Sequence, residues 1–291
     1  MDVFMNELSQ IILVLVYAAA FIGTIGAIVV QMQLRRDRQS PPTVPCGKVQ
    51  VWFYSRADLI LVLFLYLLFA GLFALALLSP PVDMSKVSAP ALVVGVGFQL
   101  VITAGVVAFA LRRASLNQWL GVRWKHWPWV FLIAPGAVAV MWVVLMAMHL
   151  AGYMGWMESL GAETKQETVV LLETTKDPLI IVIMVITAVV IAPLWEEVVF
   201  RGYLHPVIKK HGGIWAGAIC SSLLLAVVHN HLAAIIPLFL LAMLMVWLYE
   251  KTGSIWTPIA VHACFNAAAV GASFLVRYYE PTPALIDVWP F

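Results

Sequence analysis

Charge is what this 291-residue sequence has least of: 11% of its residues are Asp, Glu, Lys or Arg, against 63% that are hydrophobic. With a mean hydropathy of +0.96, the composition excludes an ordinary soluble domain and places the chain among polytopic membrane proteins. The net charge of +2 comes without a basic stripe or an RNA-binding motif, so nucleic acid is not an expected partner. Three cysteines, Cys46, Cys220 and Cys264, have no paired spacing, which argues against a disulfide framework and against a cysteine metal site. The start, MDVFMNE, carries acids where a signal peptide carries bases, and no cleaved targeting segment is expected. HExxH and GxSxG are absent, as are the paired short half-helices of an inverted-repeat transporter. Sustained period-2 alternation is missing too, so helices are expected in place of a membrane barrel. Without a repeat of fixed period or an interdomain linker, residues 1–291 read as one polytopic domain.

What the chain has in abundance is apolar runs. They define about eight spans: Leu8–Met32, Leu59–Leu78, Pro90–Leu111, Trp129–Leu150, Leu179–Phe200, Gly213–Val228, Leu232–Leu248 and Ile255–Val276, an all-α bundle. Connections after spans one, three, five and seven hold 13 of the 17 Lys and Arg, among them Arg35, Arg112, Arg201, Lys209 and Lys251. By the positive-inside rule both termini face out and these connections face the cytoplasm, the expected setting being a bacterial cell membrane. The Arg35–Arg56 connection, with PPTVPCG, reads as irregular, with a helix beginning near Ala57. Trp119, Trp124, Trp127 and Trp129 read as an interfacial belt. The acidic Glu158–Asp177 segment reads as a short surface helix ending at Pro178.

One stretch, IAPLWEEVVFRGYL from Ile191 to Leu204, breaks the pattern. A charged residue at the centre of a spanning helix costs roughly 2.5–3.5 kcal/mol on insertion scales, so two adjacent carboxylates need partners or a wet cavity. Glu196 and Glu197 lie about 100° apart around a helix, whereas Arg201 falls four residues after Glu197, on one face with it. Arg201 is therefore expected to neutralise and orient Glu197, leaving Glu196 to face a cavity; an ion pair at the exit of a helix is the simpler reading of the same residues. His229 closes the sixth span, and His262 with Asn266 four residues later share one face of the eighth. Together they argue for a common intramembrane polar cavity, although each alone reads as a packed polar residue. His126, His205, His211 and His149 read as solvated or interfacial, and His231 as loop.

Imidazoles, a carboxylate and an amide can perform three kinds of work. A buried carboxylate can take a proton from water, with histidine sharing the task, while an amide and an imidazole N–H stabilise an oxyanion. Two His and one Glu, here Glu196, His229 and His262, also make a catalytic zinc set with an open fourth position. Intramembrane Glu and His further serve proton-coupled transport.

The ordered set of EExxxR in Glu196, Glu197 and Arg201, extended by FRGYL, then His229, then HxxxN in His262 and Asn266, resembles the CPBP family. That family takes in the type II CAAX prenyl endopeptidases and bacterial CAAX-protease and bacteriocin-processing homologues. The likeness covers about Leu179–Val276, so a CPBP-like core is expected over 178–276. It implies an eight-helix intramembrane endopeptidase acting near the cytoplasmic face on a peptide or protein tail, lipidated in the CAAX case. It further implies that Glu196 and His229 activate water, that His262 and Asn266 form the oxyanion hole, and that Glu197 and Arg201 support them. A metal-free, glutamate-dependent reaction with no cofactor is the preferred expectation and zinc its alternative; a non-catalytic scaffold or immunity protein is another. The family often has an aromatic four residues before the second-motif histidine, where this chain has Leu225. A helix starting at Gly213 puts His229 roughly 24 Å along it, against about 10 Å for His262. Either the chain from Pro206 to Gly217 dips into the bilayer or the sixth helix is strongly tilted.

Overall fold

The computed structural model describes residues 2–37, 47–79, 86–163 and 165–279, and among them the regular structure is entirely helical. In chain order the helices are α1 (Asp2–Asp37), α2 (Arg56–Leu78), α3 (Ala89–Ala110), α4 (Leu116–Leu120), α5 (Val130–Leu150), α6 (Tyr153–Ser159), α7 (Glu167–Thr174), α8 (Pro178–Gly212), α9 (Ile214–Val228), α10 (Ile235–Thr252) and α11 (Trp256–Tyr279). Seven of the described helices are long and apolar enough to cross a membrane, and α9, at 15 residues, is the short one. The chain is thus a polytopic all-α membrane protein. Cys46 and the PPTVPC part of the first connection lie outside the described residues.

Helices in lipid gain little from hiding apolar surface, because the tails are as apolar as leucine; close backbone approach and interhelical hydrogen bonds hold them instead. The inner layer shows both. Helix α9 packs against α1, α8 and α10, while α11 lies across α5 and the middle of α8. At Gly217 of α9 an added Cβ would sit 2.8 Å from the His205 carbonyl oxygen and 2.9 Å from the Lys209 amide nitrogen. Neither backbone atom can swing aside. Gly217→Ala is therefore expected to cost about 1–3 kcal/mol by overpacking, read as a lower unfolding midpoint of the full chain in detergent; an unchanged midpoint would show that the two helices can separate freely.

Four expectations need correction. The fifth span does not end at Phe200, because α8 runs on to Gly212 and residues 205–209, 211 and 212 are buried in it. His205 (0% exposed) binds the Glu250 carboxylate and His211 binds the Ser55 carbonyl, so neither is a solvated loop histidine. Arg201 and Lys209, counted as loop cations, are interior and paired. Trp119 is no belt residue either: it is 2% exposed and donates to the Gly202 carbonyl, unlike the exposed Trp127 and Trp129. Apart from Arg201, whose partner Glu197 is one turn away, a partner distant in sequence satisfies a polar group that hydropathy reads as surface.

The described part of the first connection, residues 47–55, is a strap across α8 and α10. Lys48 N–H donates to the Glu250 carbonyl (2.8 Å), and Lys209 Nζ joins both Glu250 carboxylate oxygens (2.8 Å each) and the Val49 carbonyl (3.1 Å). Gly47, at φ +95°, leaves room for this, since a Cβ there would meet Glu250 Oε2 at 2.0 Å. The strap ends at Ser55, whose backbone N–H donates to Asp58 Oδ2 at the start of α2. Asp58, 2% exposed, also pairs with Arg113 and accepts from Tyr203 Oη at 2.8 Å.

Candidate active site

Of the carboxylate pair, Glu196 lies between two π-turns of α8, Thr187–Ile191 and Glu197–Leu204, and Glu197 opens the second. Each turn is followed by a proline. Ala192 N–H bonds the Thr187 carbonyl and His205 N–H bonds the Phe200 carbonyl, both five residues back. Pro193 and Pro206 then offer no N–H, and a proline ring crowds the carbonyl four residues before it. The wider turns relieve that crowding, as π-bulges in α-helices do. Glu196 and Glu197 are thereby carried on a helix whose backbone carbonyls are partly released from internal bonding.

Glu197 (0% exposed) is fixed by two donors on one oxygen: Arg201 Nη1 at 2.8 Å and His262 Nδ1 at 2.9 Å. The Glu197–Arg201 pair follows from the four-residue spacing. His262 approaches from α11 and turns its other nitrogen toward Glu196, with Nε2 to Oε2 at 3.9 Å. That is beyond a direct hydrogen bond and within ion-pair reach. Glu196 is 8% exposed and its Oε2 accepts no hydrogen bond. One carboxylate is thus locked and its neighbour is not.

Asn266, one turn beyond His262, donates from Nδ2 to the Ala188 carbonyl at 2.8 Å. In the first π-turn that carbonyl has no internal donor, because Ala192 N–H is spent on Thr187 and Pro193 has none. His229 caps the end of α9, where Asn230 turns into the left-handed region at φ 50° and releases the last carbonyls of the helix. Leu225 O takes a hydrogen bond from His229 Nδ1 at 2.8 Å, so Nδ1 carries a proton and Nε2 is the ring nitrogen left uncommitted. His229 is half-buried and makes no ion pair with Glu196 or Glu197. His231 lies in the loop expected for it, yet is buried; burial, helped by His229, holds it below the usual histidine range, although the Lys165 backbone bond opposes the shift.

The structure therefore brings Glu196, Glu197, Arg201 and His262 into one buried cluster, with Asn266 on the same face of α11 and His229 outside the set of direct bonds. A catalytic zinc needs three converging protein ligands. Among the described residues no three His, Cys, Asp or Glu groups are so placed, and His262 Nδ1 is already engaged by Glu197. The arrangement does not fit the Glu196, His229, His262 zinc set, and no step below passes through a metal. Near the start of α11, three residues before His262, Ile259 borders an open groove of about 480 Å³ lined also by Trp124, Trp127 and Trp256.

Helix bundle and buried acid–histidine cluster define an all-helical membrane protein with an intramembrane polar site. A family model for type II CAAX prenyl endopeptidase Rce1-like proteins matches residues 178–268. Over 135 residues, 46% of its length, the chain is 24% identical to a Bacillus subtilis (strain 168) protein described as "Putative membrane peptidase YdiL". The aligned part spans about half, 54%, of that relative. No solved structure gives a significant match. Both matches support the CPBP family that the ordered motifs resemble.

Proposed function

We propose that the chain is an intramembrane endopeptidase that hydrolyses a peptide bond in a peptide or protein tail delivered at the cytoplasmic side of the membrane. The observation that carries this reading is the pairing of a locked glutamate, Glu197, with an unbonded one, Glu196, across His262. Glu196 is the general base: its carboxylate takes a proton from water as the oxygen attacks the scissile carbonyl, and returns a proton to the leaving amine. His229, through the Nε2 that its Leu225 bond leaves uncommitted, shares that proton. The tetrahedral oxyanion is met by Asn266 and His262. With Nδ1 committed to Glu197, His262 can donate to it only from Nε2, and so only as an imidazolium. Glu197, clamped by Arg201, is the counter-ion that this form needs, which turns the supporting residues into part of the electrostatic design. The likeness to CAAX endopeptidases suggests a lipidated tail as substrate class, and the groove beside Ile259 is the apolar surface available for it.

The test is cleavage of reporter peptides, with and without a thioether isoprenoid, by the full chain in lipid vesicles. Cleavage is expected to fall by roughly 10²–10³-fold in His262→Ala, as for loss of one oxyanion donor, and to survive chelators. Peptides left intact by the wild-type chain, with a partner bound instead, would favour the non-catalytic scaffold; loss of cleavage on chelation, restored by zinc, would favour the metal reading.

A further inference from the structure

We propose that Tyr54 and Trp119, which lie outside the region matched by the family model, are positioning residues for the Glu196–Glu197 pair and act through the carbonyl of Gly202. The inference rests on the reading of that pair as the reacting groups.

The two prolines of α8 create related problems at different offsets. Pro193 and Pro206 each remove the N–H that would close a helical turn, and each is preceded by a π-turn that leaves a carbonyl to be satisfied from elsewhere. Upstream of the glutamates the carbonyl is Ala188, five residues before Pro193 in the π-turn register, and its donor is Asn266. Downstream it is Gly202, four residues before Pro206, and it has two donors: Tyr54 Oη at 2.8 Å and Trp119 Nε1 at 2.7 Å. The glutamates sit between these two anchor points. Both donors are nearly inaccessible, Tyr54 at 4% and Trp119 at 2% exposure, and burial pushes the Tyr54 phenol well above its ordinary range, so that it remains a donor.

Gly202 is suited to this contact because a Cβ there would meet Leu120 Cδ2 at 2.7 Å. Its lack of a side chain lets Trp119 and Leu120 come down onto the helix. The next residue, Tyr203, is held by Asp58. The preceding one, Arg201, holds Glu197, which holds His262. Hydrogen bonds from the strap and α4 therefore end on the Gly202 carbonyl, and one covalent backbone step away a second set runs from Arg201 through Glu197 to the imidazole facing Glu196. A donor lost at Gly202 lets the π-turn relax, and the guanidinium one residue away moves with it.

The experiment uses the full chain in lipid vesicles with Tyr54→Phe, Trp119→Phe and the double variant, and two readouts. The first is kcat and KM on a reporter peptide. The second is the rate at which a hydrophobic carbodiimide labels Glu196, followed by peptide mass mapping, which needs no protease activity and so separates failure of this inference from failure of the proposed function. The double variant is expected to lower kcat about 10–100-fold with KM nearly unchanged, the scale of a sub-ångström to 1 Å misplacement, and to change the labelling rate of Glu196 severalfold. Adding Pro206→Ala, which supplies an N–H to Gly202, should restore part of both. A purely structural role would lower the melting temperature and leave the labelling rate of the folded protein alone. Unchanged kcat and labelling in the double variant, or a rise in KM alone, would overturn the inference. If the double variant does not fold, Tyr54→Phe, which removes one oxygen atom, decides by the same readouts.

Discussion

Glu196→Gln is expected to lose peptide cleavage by roughly 10²–10⁴-fold, the usual contribution of a general base, while the unfolding midpoint stays close to that of the unaltered chain. The two halves of this expectation have separate causes. Glutamine fills the same space but cannot take a proton from water, so the first step of hydrolysis has no acceptor. Stability is spared because Glu196 Oε2 accepts no hydrogen bond and its contact with His262 is a 3.9 Å one. The adjacent residue should behave in the opposite way. Glu197→Gln strips the counter-charge from Arg201, which is 1% exposed, and breaking a buried pair on one side costs about 3–5 kcal/mol. Full cleavage by Glu196→Gln would remove the base assignment, and equal stability losses at both positions would show that Glu196 is a structural ion instead.

Glu250→Ala should be the most destabilising single change away from the cluster, by about 3–5 kcal/mol, because it leaves Lys209 buried without its counter-ion. Lys209 is fully enclosed, and its remaining bonded acceptor would be the Val49 carbonyl at 3.1 Å. His205 Nε2, 2.7 Å from Glu250 Oε1, would lose its partner as well. The double change Lys209→Met with Glu250→Leu removes both charges and should recover part of the loss. Recovery is incomplete because Val49 N–H and Val49 C=O, which the pair also serves, stay unmatched. Thermal unfolding of the full chain in one detergent measures all three proteins. A midpoint for Glu250→Ala equal to the wild-type value would mean that water reaches Lys209 and that the strap is not fastened there.

How much of this was legible in the sequence follows from the distance over which each interaction acts. The Glu197–Arg201 pair and the shared face of His262 and Asn266 are set by helical geometry within one turn, and the helix alone dictates them. Apolar runs gave the spans for a similar reason, since length and hydropathy are local properties. The end of the fifth span was misread where local information ran out: Arg201, His205, Lys209 and His211 look like an exit loop unless Glu197, Glu250 and Ser55 are known to receive them. Glu250 lies 41 residues from Lys209 and Asp58 lies 145 from Tyr203, separations that no periodicity encodes. Pro193 and Pro206 were visible signals, and a proline inside an apolar helix does ask which carbonyl it orphans. That question points to Val189 and Gly202, four residues before each proline; the π-turn that moves the first to Ala188, and Asn266, Tyr54 and Trp119 as the donors, are not in it.

The brevity of α9 has a physical consequence for hydrolysis in an oily medium. Fifteen residues cover about 22 Å, against roughly 30 Å of hydrocarbon, and because α9 is packed among α1, α8 and α10 the shortfall falls inside the bundle and not against acyl chains. His229 marks one end of that shortfall. A hollow between the helices at this point would bring the aqueous phase to the histidine, giving the attacking nucleophile a route to a glutamate that would otherwise be walled in.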